Sequence, residues 1–491
     1  MSDEPVIPKK ENKKLTVCVR TFGCQMNDYD SDLALGLLKK QGYEQTEDES
    51  QADVILFNTC SVRQHAEDRV FNQISYLKKE KERRPELMIG VMGCMVENYK
   101  TQFFDDFPHI DLLIGTRSIR ELPQAIERAR NEKQKVIELS KSGFGYDLYE
   151  TPRREGKFHA YLPIMTGCDK VCSFCIVPYV RGPEISRPSK EILETVKYLA
   201  DQGVKHITLL GQNVNSYGRS LRAKRPPKDG SVQHRLAESN LGSEIVSASL
   251  GMLPRNDDNF SDLLANVAQV NGIEKVSFTT SHPQDAHEAL FQAIRQEPKI
   301  SRRFHLPLQA GSDRILALMR RDHTLAEFRT KIDRMRQLVP DISVTTDIIV
   351  GFPGETDEEF EMTRRALEEI EFDGAFIFRY SPRPHTGAAR LEDTTPEDLK
   401  TKRVSALLEM QRRITQRNNQ SLLGTTCQVM VTEISKKSKE EVLARNWQEK
   451  KVVFPGTAND IGRICYVKLN ELVDETFRGV RPRPDPTFRE I

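Results

Sequence analysis

No apolar run in this 491-residue chain approaches the roughly 20 residues that a membrane helix requires, so a membrane partner is not expected. The first fourteen residues lack the apolar segment of a secretory leader. They also lack the Arg-rich, acid-poor bias of a transit peptide. Net charge is nearly absent: 73 basic and 72 acidic residues leave a formal +1. No global field therefore announces a nucleic-acid partner, and charge has to be judged locally. These absences point to a soluble, cytoplasmic enzyme. Its length exceeds one ordinary core and suggests roughly three domains. What is present is cysteine. Nine of them, an odd number without a secretory signal, argue against a disulfide scaffold and for thiolate ligands in a reducing compartment.

The first third alternates short apolar runs with amphipathic helix patterns. Residues 15–19, 54–57, 88–92 and 112–114 read as strands, and helices are predicted near 30–41, 61–81 and 122–130. Such βαβα order with short connections implies an α/β fold with a parallel, doubly wound sheet. Cys24, Cys60 and Cys94 each follow a strand directly, at the carboxyl edge where open α/β sheets bind ligands. One such cysteine is ordinarily core packing. Three at equivalent places in successive units point to a shared metal site. Cys18 lies inside a strand, between Val17 and Val19, and is expected in the core.

The sharpest motif follows a strand predicted over residues 161–167: Cys168-x3-Cys172-x2-Cys175. Three thiolates can hold three irons of a 4Fe–4S cluster and leave the fourth open to an exogenous group. The amino and carboxylate groups of S-adenosylmethionine suit that position. An electron from the cluster would then cleave the sulfonium to a 5′-deoxyadenosyl radical. Zinc is the rival, because closely spaced cysteines suit it too and His159 could be a fourth ligand. No second Cys-x2-Cys or His-x3-His pair stands nearby, and Phe174 precedes the last cysteine, which favours the cluster. Strands over 206–210, 275–280, 303–309, 343–350 and 374–380 alternate with helices. One of these is opened by a Thr356-x-x-Glu359 capping box. Counting gives six βα units, an incomplete barrel. Gly351-Phe-Pro-Gly354 lacks the ending of a phosphate loop and reads as a tight turn with cofactor-facing backbone. His282, His305 and His323 share no spacing and each reads as structural.

Residues 220–258 break the alternation; they are polar and begin with a basic Lys224-Arg-Pro-Pro-Lys228 stretch. A mobile insertion is expected, with an RNA contact as the second possibility. After a charged helix near 396–418, strands over 426–431, 442–446, 451–454, 463–469 and 475–480 fit a small antiparallel β-barrel. Lys436, Lys437, Lys439, Arg445, Lys450, Lys451, Arg463 and Lys468 are interleaved in it. They form an RNA anchor or a plain solvated surface, which charge alone weighs equally. Cys427 and Cys465 lie in strands and look like core.

Taken together, the motifs resemble the radical-SAM methylthiotransferases, most closely the MiaB-type branch that acts on tRNA. Thr21-Phe-Gly-Cys-Gln-Met-Asn27, Asn58-Thr-Cys-Ser-Val-Arg63 and Gly93-Cys94 are similar to the family's auxiliary-cluster segments. Cys168-Asp-Lys-Val-Cys-Ser-Phe-Cys-Ile-Val-Pro-Tyr179 resembles its SAM-cluster loop. Gly211-Gln-Asn-Val-Asn215, Thr279-Thr-Ser-His-Pro283 and Gly351-Phe-Pro-Gly-Glu-Thr356 resemble core segments near the cofactor. The resemblance implies a methylthiotransferase domain over 14–131 with an auxiliary 4Fe–4S cluster. A radical-SAM core over 154–408, interrupted at about 220–258, and a TRAM RNA-binding domain over 411–480 would follow. It implies two 4Fe–4S clusters, one on Cys24, Cys60 and Cys94 and one on Cys168, Cys172 and Cys175. S-adenosylmethionine would lie near Phe174, Gly211, Gln212 and Asn213, with no catalytic side chains beyond the cluster ligands. The implied partners are tRNA and an external donor of flavodoxin or ferredoxin type, and the chain is expected as a monomer.

The implied activity places a methylthio group on C2 of N6-isopentenyladenosine beside the anticodon, at position 37. Relatives acting on threonylcarbamoyladenosine or on a ribosomal-protein aspartate compete, although Gly-Cys-Gln-Met-Asn resembles the first branch more. A non-catalytic iron–sulfur RNA-binding protein is the alternative of another class. The chemistry needs both clusters: the ring C2–H is not acidic, so acid–base catalysis has no useful proton to move. The auxiliary cluster is expected to present sulfide on an open iron. One S-adenosylmethionine would methylate it, and a second would generate the radical.

Overall fold

The computed structural model describes residues 14–61, 64–140, 158–219 and 259–482; the expected insertion at 220–258 lies outside the described residues. The chain forms two compact units. The first is Met1–Arg153 with Tyr179–Arg181, and the second is Arg154–Pro178 with Gly182–Ile491.

In the first unit, strands buried on both faces carry the continuous Val/Ile/Leu runs that a covered parallel sheet demands. The strands of the sheet are β1 (Thr16–Thr21), β2 (Glu44–Gln45), β3 (Val54–Thr59), β4 (Met88–Gly93), β5 (Leu112–Ile114) and β6 (Val136–Glu138), of which β3, β4 and β5 are buried throughout and the short edge strand β2 is exposed. All neighbours pair in parallel, in the order β2-β1-β3-β4-β5-β6. The chain order reverses between β1 and β3, which makes their carboxyl ends the switch point of the sheet. The helix after β1 starts at Gln25 rather than near Asp30. Its first turns are polar in sequence, but Asn27, Asp30 and Ser31 are buried there as hydrogen-bonding groups. Cys18 is fully buried, as its strand position requires.

The second unit begins with β7 (His159–Pro163). A short antiparallel pair, β8 (Met165–Thr166) with β9 (Ile185–Ser186), follows it. Strands β10 (His206–Leu210), β11 (Lys275–Phe278), β12 (Arg303–His305), β13 (Ser343–Val350) and β14 (Gly374–Arg379) continue the series. They make two three-stranded parallel sheets, β11-β10-β7 and β12-β13-β14, linked by a parallel bridge between Val276 and Ile300. Helices Ser189–Asp201, Phe260–Ala268, Glu288–Gln296, Leu325–Leu338, Asp357–Ile370 and Glu397–Gln420 follow the successive strands, so the six βα units are present. Side-chain alternation explains the layering. Ile207, Leu209, Val276, Phe304, Val344 and Ile348 join one core with helix residues such as Phe328 and Leu367. On the opposite face polar groups pair across strands: His159 with Thr208 at 2.8 Å, His206 with Ser277 at 2.9 Å and His305 with Thr345 at 3.0 Å.

The Thr356–Glu359 capping box forms as expected, and Arg314 grips Glu359 through both carboxylate oxygens, at 2.9 and 2.6 Å. The Arg314 hydrogen bond holds the Glu359 carboxyl down at about 2. A folded value below the unfolded one contributes stability above about pH 4.5, which is lost as pH falls towards 2. Glu359→Gln should therefore cost about 1 kcal/mol at neutral pH, modest because Arg314 is half exposed. In urea unfolding, the gap between the variant and the parent should close on acidification.

The C-terminal barrel consists of β15 (Thr426–Ile434), β16 (Glu441–Asn446), β17 (Lys451–Pro455), β18 (Ile464–Val473) and β19 (Thr476–Val480). It closes in the order β15-β16-β17-β19-β18 around Val429, Val442, Phe454, Val467 and Phe477. The expected antiparallel barrel needs one correction, because β17 and β19 run parallel. An odd number of strands in a closed ring cannot alternate throughout. Cys427 and Cys465 are half-buried against this core rather than within it.

Residues 446–450, the turn between β16 and β17, are seated on the partial barrel at the amino-terminal ends of its strands. Trp447 Nε1 donates to the Pro298 carbonyl at 2.8 Å, and the Trp447 carbonyl accepts from Ser301 Oγ and the Arg302 amide at 2.9 and 2.6 Å. Glu449, in the left-handed region at φ +62°, meets Lys275 Nζ at 2.7 Å and accepts from Ser277 Oγ at 3.2 Å. Lys450 pairs with Asp373 at 3.0 Å, and Arg445 donates to the Glu449 carbonyl at 3.0 Å. Two of the eight interleaved cations are thus committed to the seat. Lys436, Lys437, Lys439, Lys451, Arg463 and Lys468 remain exposed. Among the described residues no helix is long and apolar enough to cross a membrane.

Candidate metal centres

The parallel sheet of the first unit delivers Cys24, Cys60 and Cys94 to one rim, after β1, β3 and β4. Two buried amides hold the loops that carry them. Asn27 Nδ2 donates to the Phe22 and Thr59 carbonyls at 3.2 and 2.8 Å and to Asn58 Oδ1 at 3.0 Å. Asn58 Nδ2 returns a bond to the Asn27 carbonyl at 2.8 Å, while Cys24 Sγ contacts Asn27 Oδ1 at 3.3 Å. The glycines before two of the cysteines permit the close approach. A Cβ on Gly23 would sit 2.4 Å from Cys60 Cβ, and one on Gly93 would sit 2.6 Å from the Thr59 carbonyl oxygen, both at positive φ. Gly93→Ala should therefore strain the rim by about 1–3 kcal/mol. The expected result is a reconstituted protein with about half the parent's iron, measured by iron and sulfide assay.

Cys24 is exposed, whereas Cys60 and Cys94 are buried. A hydrogen bond to Cys60 brings the Cys24 thiol down to about 5, and burial pushes Cys94 up. The three thiols thus share one electrostatic locus. The donor set is soft and fits iron.

The second triad sits at the carboxyl edge of the other unit, on a loop whose base is closed by β8 and β9. The Cys168 amide donates to the Gly182 carbonyl at 3.1 Å, and the Cys175 amide to the Cys172 carbonyl at 3.1 Å. Ser173 anchors the loop midpoint: its amide donates to the Met319 carbonyl at 3.0 Å and its hydroxyl to the Leu318 carbonyl at 2.7 Å. Burial raises Cys168 to about 11 and Cys175 to about 12, so metal binding to these thiols would release their protons. Arg321, almost fully buried, donates to Cys172 Sγ at 3.3 Å and to the Pro307 carbonyl at 3.0 Å. This donor set also fits an iron–sulfur cluster. Among the described residues, no three His, Cys, Asp or Glu side chains converge tightly enough for a single ion. A four-iron cluster needs no such convergence, since each iron takes its own thiolate.

His159 does not join this triad. It is the first residue of β7, at the strand end away from the cysteine loop, where it bonds Thr208 and packs 4.4 Å from the His206 ring. Phe174 packs beside Ile315, Met319, Phe352 and Tyr380. Gly211 lies so close to Met165 that a Cβ would meet its Cγ at 2.5 Å. Gln212 Oε1 is buried with no partner among the described residues. Asn213 Nδ2 donates to Asp285 at 2.7 Å, and Asp285 also meets Lys170 at 3.0 Å and Arg219 at 2.8 Å. His282 accepts from the Gln284 amide at 3.3 Å, and burial depresses it far below its ordinary value. Burial likewise holds His323, bonded to the Arg321 carbonyl, at about 4. Gly351 and Gly354 both have positive φ, and Glu355 closes the turn by accepting the Gly351 amide at 2.7 Å. Sequence reasoning placed Asn27 and Asn58 in the auxiliary-cluster segments without giving them a role, and it missed Arg321 and the Asp285 ion knot. Asn27, Asn58 and Asp285 lie at or shortly after strand carboxyl ends, which was the available signal, whereas Arg321 follows the helix Asp313–Leu318 and carried none.

Residues 16–115 match the Uncharacterized protein family UPF0004, and residues 162–367 match the Radical SAM superfamily. A tRNA-2-methylthio-N(6)-dimethylallyladenosine synthase of Dictyoglomus thermophilum is 39% identical over 452 residues, covering 92% of this chain and 95% of its own. The enzyme of the same name from Alkalilimnicola ehrlichii is 40% identical over 465 residues, covering 94% and 96%. The one from Neisseria meningitidis is 38% identical, covering 94% and 98%. Among solved structures, the radical S-adenosylmethionine methyltransferase TsrM from Kitasatospora setae superposes with a TM-score of 0.50 at 12% identity. It covers 77% of this chain and 75% of its own, and it bears on the fold alone.

Proposed function

Because the chain belongs to the family of tRNA-2-methylthio-N(6)-dimethylallyladenosine synthases, we propose that it adds a methylthio group to C2 of N6-isopentenyladenosine at position 37 of tRNA. The observation that supports this is the pair of cysteine triads, each on a parallel-sheet carboxyl edge; three thiolates would leave one corner of a 4Fe–4S cluster free. Cys24, Cys60 and Cys94 would hold the auxiliary cluster, and Cys168, Cys172 and Cys175 the one that binds S-adenosylmethionine. When bound, the clusters supply electron transfer and sulfur chemistry that no side chain offers.

The protein's own residues bind and orient. Asn27 and Asn58 fix the first triad, while the Ser173 bonds fix the second. Phe174, Gly211, Gln212 and Asn213 line the cofactor's place beside the second triad. The exposed Lys436, Lys437, Lys439, Lys451, Arg463 and Lys468 of the C-terminal barrel, with half-exposed Tyr466 among them, suit the phosphates and bases of RNA. The functional domains are then 14–131, 154–408 and 411–480, the last a TRAM module. The enzyme works in the cytoplasm as a monomer, with an external donor of flavodoxin or ferredoxin type. Nucleoside mass spectrometry of tRNA from cells lacking the protein tests the assignment. Loss of methylthio-isopentenyladenosine is expected, and an unchanged profile would sink it in favour of the ribosomal-protein branch.

A further inference from the structure

In the second unit, Ile348 and Ile377 are register partners and both pack into the hydrophobic core. Side chains alternate along a strand, so the neighbouring partners Asp347 and Phe376 take the opposite face, inside the partial barrel. His305 shares that face, beside its register partner Thr345. Its Nε2 lies 3.3 Å from Asp347 Oδ2, and its ring meets the Phe376 ring edge-on with centroids 5.9 Å apart. Phe376 is nevertheless 45% exposed, whereas Phe304, Phe328 and Phe372 of the same unit are fully buried. A lone exposed apolar residue is ordinary on an outer surface. The inside of a barrel is different: side chains ordinarily fill it, and six strands leave open what eight would close. This open face adjoins the second cysteine triad. Arg321 joins Cys172 Sγ to the Pro307 carbonyl, and Pro307 is two residues, at most about 7 Å of chain, beyond His305.

An aromatic face bordered by a carboxylate suits a flat heteroaromatic ring that carries an N–H on its edge. A purine stacks on such a face. Asp347 accepts hydrogen bonds and, ionised, cannot donate, so it favours an exocyclic N–H over an oxygen. N6-isopentenyladenosine keeps one hydrogen on N6, whereas guanine turns O6 to the same edge. We propose that Phe376 and Asp347 receive the target adenine: the ring stacks on Phe376, N6–H donates to Asp347, and His305 positions the carboxylate. This deepens the methylthiotransferase reading and rests on it. A base held by its face and its N6 leaves the C2 edge free to react. S-adenosylmethionine carries an adenine with the same chemistry, and the two sources are separated by experiment.

The full chain, reconstituted anaerobically, is titrated with two tRNAs that differ only at position 37, one carrying N6-isopentenyladenosine and one abasic. The parent should bind the first at least about tenfold more tightly, and Phe376→Ala should erase that difference. Phe376→Tyr should keep it. Phe376→Leu, similar in bulk but without a π face, should lose it, and it serves where the alanine variant does not fold. For Asp347 the pair is tRNA with adenosine or guanosine at position 37: the parent should prefer adenosine, and Asp347→Ala should not. Variants that discriminate as the parent does would overturn the proposal. Weakened S-adenosylmethionine binding in Phe376→Leu, with tRNA discrimination intact, would assign the face to the cofactor's adenine and overturn it too. A parent that binds neither tRNA would sink the methylthiotransferase reading itself, a result distinct from a discriminating parent whose variants are unchanged.

Discussion

Cys172→Ala should abolish reductive cleavage of S-adenosylmethionine, whereas Cys60→Ala should retain cleavage to 5′-deoxyadenosine and lose methylthio transfer. The two residues belong to separate compact units with separate hydrophobic cores, so each change stays local. Cys172 is the proposed ligand that Arg321 contacts at 3.3 Å, and without it only two cysteines remain on the loop. A drop of at least about 100-fold in 5′-deoxyadenosine formation is expected, since loss of a ligand should exceed the 10–100-fold cost of losing an outer partner. Cys60 lies buried after β3, and its removal spares every atom of the other loop. Both variants should lose about half of the iron. An anaerobic assay of cleavage beside modified-nucleoside formation distinguishes them, and identical behaviour would mean that the two triads do not divide the labour.

Glu449→Ala should destabilise the second unit by about 3–5 kcal/mol, because it strands a buried ammonium. Lys275 is 1% exposed, and its partners are Glu449 at 2.7 Å and the Asn446 carbonyl at 3.0 Å. The two ends of the pair are unequally served. Burial opposes the Glu449 charge, but Lys275, Arg445 and Arg303 together hold its carboxyl below the usual range. Lys275 has one carboxylate, and burial still draws it below the ordinary lysine value. The depressed Glu449 contributes stability above its unfolded value near 4.5, lost as pH falls through the folded one. The penalty of Glu449→Ala in urea unfolding should therefore shrink in acid. Adding Lys275→Met to Glu449→Ala should recover part of the loss at neutral pH, since the stranded charge goes too. A double variant as unstable as the sum of the singles would show that the pair contributes nothing.

Much of this architecture was legible because βα periodicity and strand-end cysteines reinforce each other. Cys24, Cys60, Cys94 and the Cys168 loop could be placed at carboxyl edges from pattern alone, and the six strands of the partial barrel fell where apolar runs put them. Strands β2 and β6 were not visible, since two or three residues at a sheet edge carry no periodicity. The early start of the helix at Gln25 was hidden because its buried face is polar and serves the cysteine loops. Arg445 and Lys450 looked like part of a basic surface, but a turn folds them against Glu449 and Asp373. Local charge cannot reveal a partner 77 residues away. Arg181 meets Asp30 across 151 residues, and no local pattern signals such a contact. His159 looked like a spare ligand by proximity in sequence, yet a strand stands between it and the cysteines.

The Trp447–Glu449 turn also decides how freely this enzyme can be rebuilt. Its hydrogen bonds to Pro298, Ser301, Arg302 and Lys275 cap polar groups that water would otherwise flood. A foreign RNA-binding module spliced on after the long helix would leave that floor open unless it brought the same five-residue loop. The barrel is thus a stopper as well as the proposed grip on RNA, and exchanging it for another module means transplanting the stopper too.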